Sequence, residues 1–221
     1  MSGFVYKPTD APWTLSHSDA RLLVVNKPAE LLSVPGRTAD KQDCLIHRVQ
    51  ERYPEALLVH RLDLATSGLM VFARDREAQG HLGGAFQRRQ VVKRYEAVVH
   101  GRLSPSEGTV EQPLRCDWPR RPRQVVDRAS GKRARTDWRV TRRQGDRTHV
   151  SLVPHTGRTH QLRVHMEWLG HPILGDRIYA PLGSTETHRR LHLHACVLIL
   201  PHPDGGPLRI ESSAPWSIRE R

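Results

Sequence analysis

Along the 221-residue chain, apolar positions come in short bursts between polar and turn-forming residues, the pattern of a mixed α and β protein. Residues 21–26, RLLVVN, read as a strand stopped at Lys27-Pro28, because proline lacks an N–H and restricts its predecessor. Residues 43–53 read as a helix: Asp43 can cap it, Leu45, Val49 and Tyr53 recur at helical spacing, and Pro54 ends it. Residues 57–60 and 69–73 read as buried strands flanking the segment RLDLATSG. A second helix is expected over 75–88, weakened by Gly83-Gly84. Residues 91–99 partly alternate, as a half-buried strand does. Strands are expected over 134–141 and 148–153, then a loop running into a helix within HTGRTHQLRVHMEWLG, residues 155–170. In that helix Thr159 is the expected cap, Leu162, Met166 and Leu169 the apolar stripe, and Gly170 the stop. Strands over 193–200 and 208–211 close an α+β fold with much antiparallel sheet. No linker divides the chain, so one domain of two lobes is expected.

Charge adds a partner to this outline. The formal net charge is +12, and a polyanion is the natural counterpart of such an excess. Between Arg115 and Arg147 stand twelve Lys and Arg against four Asp, an excess of eight in about a seventh of the chain. Charge spread for solubility would not cluster in this way, whereas a phosphate-tracking surface would. The three Cys, at 44, 116 and 196, provide neither a disulfide framework nor metal spacing, which fits a reducing compartment. The N-terminus lacks an apolar signal region and no long apolar run follows, so a soluble, cytoplasmic protein is expected.

Four features carry candidate chemistry. HRLDLATSG, residues 60–68, places Asp63 on a turn where backbone and hydroxyl donors can hold a carboxylate, with Arg61 two residues back. Taken alone, an Asp in such a turn is more readily a turn cap than a catalyst. His-Arg-Leu-Asp is not a kinase catalytic loop, since Leu62 breaks the spacing and neither a Gly-rich loop nor D-F-G accompanies it. No Walker loop is present. In Lys93-Arg94-Tyr95 the Tyr can stack on a base and offer a phenolic oxygen, though a strand Tyr is commonly core. In GRTHQLRVH, residues 157–165, a helix N-terminus with Arg158 would suit a phosphate, and Arg163 could pair with a carboxylate. Histidines crowd the C-terminal half at 155, 160, 165, 171, 192 and 194, yet H-E-x-x-H is missing and no metal site is expected.

Together these segments resemble the RluA family of pseudouridine synthases. VNKP (25–28), HRLDLATSG (60–68), Lys93-Arg94-Tyr95, TGRTHQLRVH (156–165), GHPILGD (170–176) and Leu193-His194-Ala195 follow the family's motifs in order. The likeness runs from about Asp19 to Pro215, and the basic loop CDWPRRPRQ, 116–124, looks like that of a dual-specific branch. The resemblance implies a catalytic domain over 19–215 behind an extension at 1–18, without the RNA-binding domain that many relatives append. It implies a largely antiparallel sheet in two lobes flanking a basic catalytic cleft, and an enzyme that needs no cofactor or metal. Asp63 is then the carboxylate that works on the target ribose, Tyr95 contacts the base, and Arg163 holds Asp63 in a salt bridge. Arg61 would fill the gap left by the flipped nucleotide. Lys27, Arg158, His160, Arg120, Arg121 and Arg123 would contact RNA. The implied partners are 23S rRNA and a tRNA anticodon stem-loop, met by a monomer away from membranes. One departure is visible: the family's first motif has Gly where this chain has Glu30, which opens the question of turn geometry there. The rival readings are a non-catalytic RNA-binding protein and another RluA-type synthase with a different rRNA target; a nuclease would want a carboxylate pair or a His pair.

Overall fold

The structure is a computed structural model that describes residues 5–181 and 189–216; residues 1–4 of the expected N-terminal extension lie outside that range. The chain separates into two compact units, one built from residues 1–91 and 195–221 and the other from 92–194.

In the first unit, β2 (Leu22–Lys27) and β4 (Ser67–Ala73) are antiparallel partners whose register sets Lys27 opposite Gly68. Apart from Asn26, Lys27 and Ser67 at the ends that meet, both are apolar, and they are almost wholly buried, as strands covered on both faces are. β1 (Thr14–Ser18) extends the sheet beyond β2, β3 (Leu57–Leu58) pairs with part of β4, and β12 (Pro207–Glu211) pairs with β11 (Leu193–Pro201). Helix α2 (Arg76–Gln87) packs Ala78, Leu82 and Ala85 into a core with Leu22, Val24, Leu69, Val71 and Leu198. Its start is specified locally, since the Asp75 side chain accepts the Ala78 N–H at 2.8 Å. Asp19 fastens the β1–β2 turn. Partial burial would raise its pKa, but bonds from His17, the Arg21 and Leu22 N–H groups and His202 outweigh this and hold it at about 2.

Helix α1 (Leu45–Gln50) is shorter than the expected 43–53, and Cys44 occupies the cap position. Asp43 instead grips Arg48 through Nε and Nη2 at 2.7 and 2.6 Å. A charged partner within reach has outcompeted the backbone N–H groups.

In the second unit, β5 (Val92–His100), β10 (Arg147–Pro154), β9 (Thr136–Gln144) and β6 (Glu107–Val110) form an antiparallel run in that order. A separate hairpin, β7 (Leu114–Cys116) and β8 (Gln124–Val126), packs with helix α3 (Gln161–Trp168). Leu114, Ala134, Val164 and Tyr179 form the core there. The α3 cap is His160, with φ 53°, and not Thr159. Its side chain does not cap; Gln161 supplies the loop's hydrogen bonds, as described next.

Candidate active site

In the first unit, the HRLDLATSG segment is pinned at several points. Thr66 N–H donates to the Asp63 carbonyl at 3.1 Å, closing a turn over Asp63–Thr66. Ser33 Oγ donates to the Leu62 carbonyl at 2.7 Å and accepts the Leu62 N–H at 3.1 Å, satisfying both backbone groups of the residue before Asp63. Lys27 Nζ donates to the carbonyls of Pro28, Leu31 and Leu64, the last being the residue after Asp63. At the segment's entrance the Val71 N–H donates to His60 Nε2 at 3.1 Å, and the ring stacks on Phe86 at 4.5 Å. At its exit Gly68 has φ 118°, and a Cβ there would meet Ala195 N and O at 2.4 Å, so only glycine fits. Asp63 is half-buried and Arg61 exposed on a turn whose backbone is thus fixed on both sides.

Lys27 therefore departs from the RNA contact expected of it. It is 0% exposed, and its ammonium is a brace between the first motif and the Asp63 turn. A buried cation needs such carbonyl acceptors once water is removed. Glu30 settles the question raised by the missing glycine: it adopts φ 59°, the left-handed region in which glycine is at ease.

The remaining expected residues belong to the second unit. Tyr95 is buried on β5, opposite Leu152 of β10. Lys93 shares its face by the two-residue strand period, and burial lowers its pKa. A methyl at Gly157 would come within 3.9 Å of Lys93 Nζ, so β5 and the TGRTH loop are neighbours. Arg163 is 4% exposed, and Asp176 grips it with Nε–Oδ2 and Nη2–Oδ1 both at 2.7 Å. Asp176 Oδ1 also accepts the Ile178 and Tyr179 N–H groups at 3.0 and 3.1 Å. The Tyr179 ring lies 5.0 Å from both the Arg163 and the Arg123 guanidinium carbons. Burial raises its phenol far above the usual range.

The start of α3 is organised by Gln161. Its Oε1 accepts from Thr156 Oγ1 at 2.6 Å and from the Arg158 N–H at 3.1 Å, while Nε2 donates to the Arg135 carbonyl and Thr136 Oγ1. The Arg158 N–H, expected for a phosphate, is thus used within the protein, while its exposed side chain donates to the Arg133 carbonyl. His160 is 7% exposed and sits with Nδ1 2.8 Å from Tyr179 Oη, an internal position where RNA contact was expected. In the basic loop, Arg120 and Arg121 are exposed; Arg120 bonds Asp117 at 2.6 Å. Arg123 turns inward to Glu167 Oε1 at 2.7 Å and to the Ile178 carbonyl. The crowded histidines are dispersed in use: His155 bonds Asp137, His165 bonds Thr136 and Gln112, and His171 bonds the His100 carbonyl.

Asp176, Tyr179, Ser33, His60 and Gln161 had no assigned role in the sequence reading. His60, Gln161 and Asp176 did lie within the quoted motifs, Asp176 as the acid closing GHPILGD thirteen residues after Arg163, whereas Ser33 and Tyr179 left no signal.

The first unit thus carries a carboxylate on a braced turn, and the second a buried strand Tyr, an ion-paired Arg and an arginine-rich loop of the kind that suits a polyanion. The model of the RNA pseudouridylate synthase family matches residues 21–168. The chain is 48% identical over 203 residues to the dual-specificity RNA pseudouridine synthase RluA of Escherichia coli (strain K12), covering 91% of this chain and 93% of that one. It is 45% identical over 215 residues to the protein of that name from Vibrio vulnificus (strain CMCP6), covering 95% and 86%. Among solved structures, human RNA pseudouridylate synthase domain containing 1 aligns with a TM-score of 0.78 at 29% identity, over 97% of this chain and 86% of that one. The chain belongs to the RNA pseudouridylate synthase family, as an isomerase that converts uridine in RNA to pseudouridine. No helix among the described residues is long and apolar enough to cross a membrane.

Proposed function

We propose that the chain isomerises uridines in two kinds of structured RNA, 23S rRNA and a tRNA anticodon stem-loop, with Asp63 as the catalytic carboxylate. Asp63 acts on the target ribose; the uracil is detached, turns and rejoins through carbon 5. Tyr95 contacts the base and helps remove the C5 proton. Arg163 pairs with Asp63 and aims it, a use its five N–H donors allow beside the bond to Asp176. Arg61 takes the space vacated by the flipped nucleotide. Arg120, Arg121 and Arg158 meet phosphates, and Arg123 braces the loop that presents the first two. The reading takes residues 19–215 as one catalytic domain working as a cytoplasmic monomer.

One observation carries it: backbone on both sides of Asp63 is tied down by Ser33 and Lys27, the pre-organisation that a positioned carboxylate requires. The double target is supported by the dual specificity named for relatives that align with nearly the whole chain.

The test is chemical mapping of pseudouridine in 23S rRNA and tRNA incubated with the purified protein and its Asp63→Asn variant. The parent should modify one uridine in each RNA, and the variant should bind both and modify neither. Turnover by the variant would remove Asp63 from its role; modification of one RNA alone would reduce the double target to a single one.

A further inference from the structure

We propose that Trp118, with Arg121 laid over it, is a stacking platform for an unpaired base in the loop of the RNA substrate. Exposed large apolar side chains are few among the described residues, and two of them are Trp118, at 65% exposure within the arginine-rich segment, and Trp168, at 48% at the end of α3. Each has a guanidinium over its ring: Arg121 at 4.9 Å from Trp118 and Arg128 at 5.7 Å from Trp168. An indole left in water and flanked by cations is poorly placed for a protein core and well placed for a nucleobase, which brings a π face and a phosphate together.

The platform is held from beneath. The Asp117 N–H donates to the Arg123 carbonyl at 2.9 Å, and the Arg120 and Arg123 N–H groups donate to the Asp117 and Arg120 carbonyls at 3.0 Å, closing the loop that carries Trp118. Arg123 then anchors this loop to Glu167 on α3. A loop tied in this way loses little backbone freedom when a base settles on its indole. Charge selects the occupant: the segment's large positive excess favours RNA over an apolar protein surface. Because duplex bases are already stacked, only an unpaired one can use the indole.

This inference rests on the reading of structured RNA as substrate, and binding tests the two separately. Dissociation constants are measured for the full chain and its variants on a synthetic RNA hairpin with an unpaired loop, and on the same stem closed as continuous duplex. Trp118→Ala should weaken hairpin binding about 5- to 100-fold and leave duplex binding as it was. Trp118→Phe should recover most of the loss, and Trp118→Leu, which keeps apolar area without a π face, should not. Hairpin affinity unchanged in Trp118→Ala, equal losses on hairpin and duplex, or full recovery by Leu would each overturn the platform. If the parent formed no pseudouridine while Trp118 still separated hairpin from duplex, the synthase reading would fail and the platform would stand. A folded Trp118→Ala protein whose self-association changes, with RNA affinity intact, would assign the ring to a protein contact and also overturn it.

Discussion

Arg163 and Asp176 form a two-pronged ion pair whose side chains are 5% and 0% exposed. The pair fixes the guanidinium of α3 against the segment that carries Tyr179, because Asp176 also accepts that segment's N–H groups. A single point-charge contact would leave Arg163 free to swivel; two parallel bonds do not.

Asp176→Asn keeps the shape and removes the charge, so a buried cation loses its counterion. The expected cost is about 3–5 kcal/mol, seen as a melting temperature lower by roughly 10 °C. The rate constant should fall with it, since Arg163 is no longer aimed. A melting curve superimposable on the parent's would show that the pair contributes little.

Lys27→Met removes the donor shared by the Pro28, Leu31 and Leu64 carbonyls. Leaving buried carbonyls unsatisfied should cost about 2–4 kcal/mol. Turnover should drop because the residue after Asp63 is untethered, while RNA affinity should hold. Weakened RNA binding by a folded variant, in a filter or anisotropy assay, would return Lys27 to the RNA-contacting set.

Glu30 occupies a left-handed conformation at φ 59°. Glu30→Gly removes that strain but enlarges the unfolded ensemble, for an expected net gain of about 0.5–1 kcal/mol. Denaturant titration reads this directly. A destabilised variant would mean that contacts of the Glu side chain outweigh the backbone cost.

His165 is wholly buried between Thr136 and the Gln112 carbonyl, and burial lowers its pKa from 6.5. The unfolded chain therefore binds its proton at higher pH than the folded one. Stability from this group is complete above about 6.5 and declines as pH falls towards the lowered value, by up to about 1.4 kcal/mol per pH unit. His100 and His149 are lowered by burial in the same sense, so the measurement is the difference between parent and His165→Gln. Parallel pH–stability curves would remove His165 as a cause.

The sequence showed most where burial is strongest. β4 from Gly68 and β11 beyond His194 are apolar runs, and α2 has both its Asp75 cap and an apolar stripe, so composition and period agree there. β1 is exposed along nearly its whole length and β6 buries only Val110, and an edge strand with nothing to hide leaves no period to read. The β7–β8 hairpin is hidden by the charge of its own loop. Asp63, Tyr95 and Arg163 stood out in the sequence as motif residues. Their supports stood out less, since Ser33 stands 29 residues from Leu62, and Asp176, though it closes a motif, shows its partner only when the fold sets it against Arg163. Lys27, His160 and Arg123 are cations or potential cations that folding turned inward, an outcome residue type alone does not announce.

The inward turn of Arg123 is one instance of a wider economy. Of the twelve cations between 115 and 147, at least six have a carboxylate within ion-pair reach: Arg115, Arg120, Arg123, Arg135, Arg139 and Arg147. Counterions leave RNA only where a cation takes their place; with Arg120 still facing phosphate and the other five held by carboxylates, at most seven of the twelve do so, and a logarithmic plot of affinity against salt should descend with a slope of about −6, not the roughly −11 that counting charges would give. The protein can thus release its RNA at moderate ionic strength, as an enzyme that must let go of each product needs to.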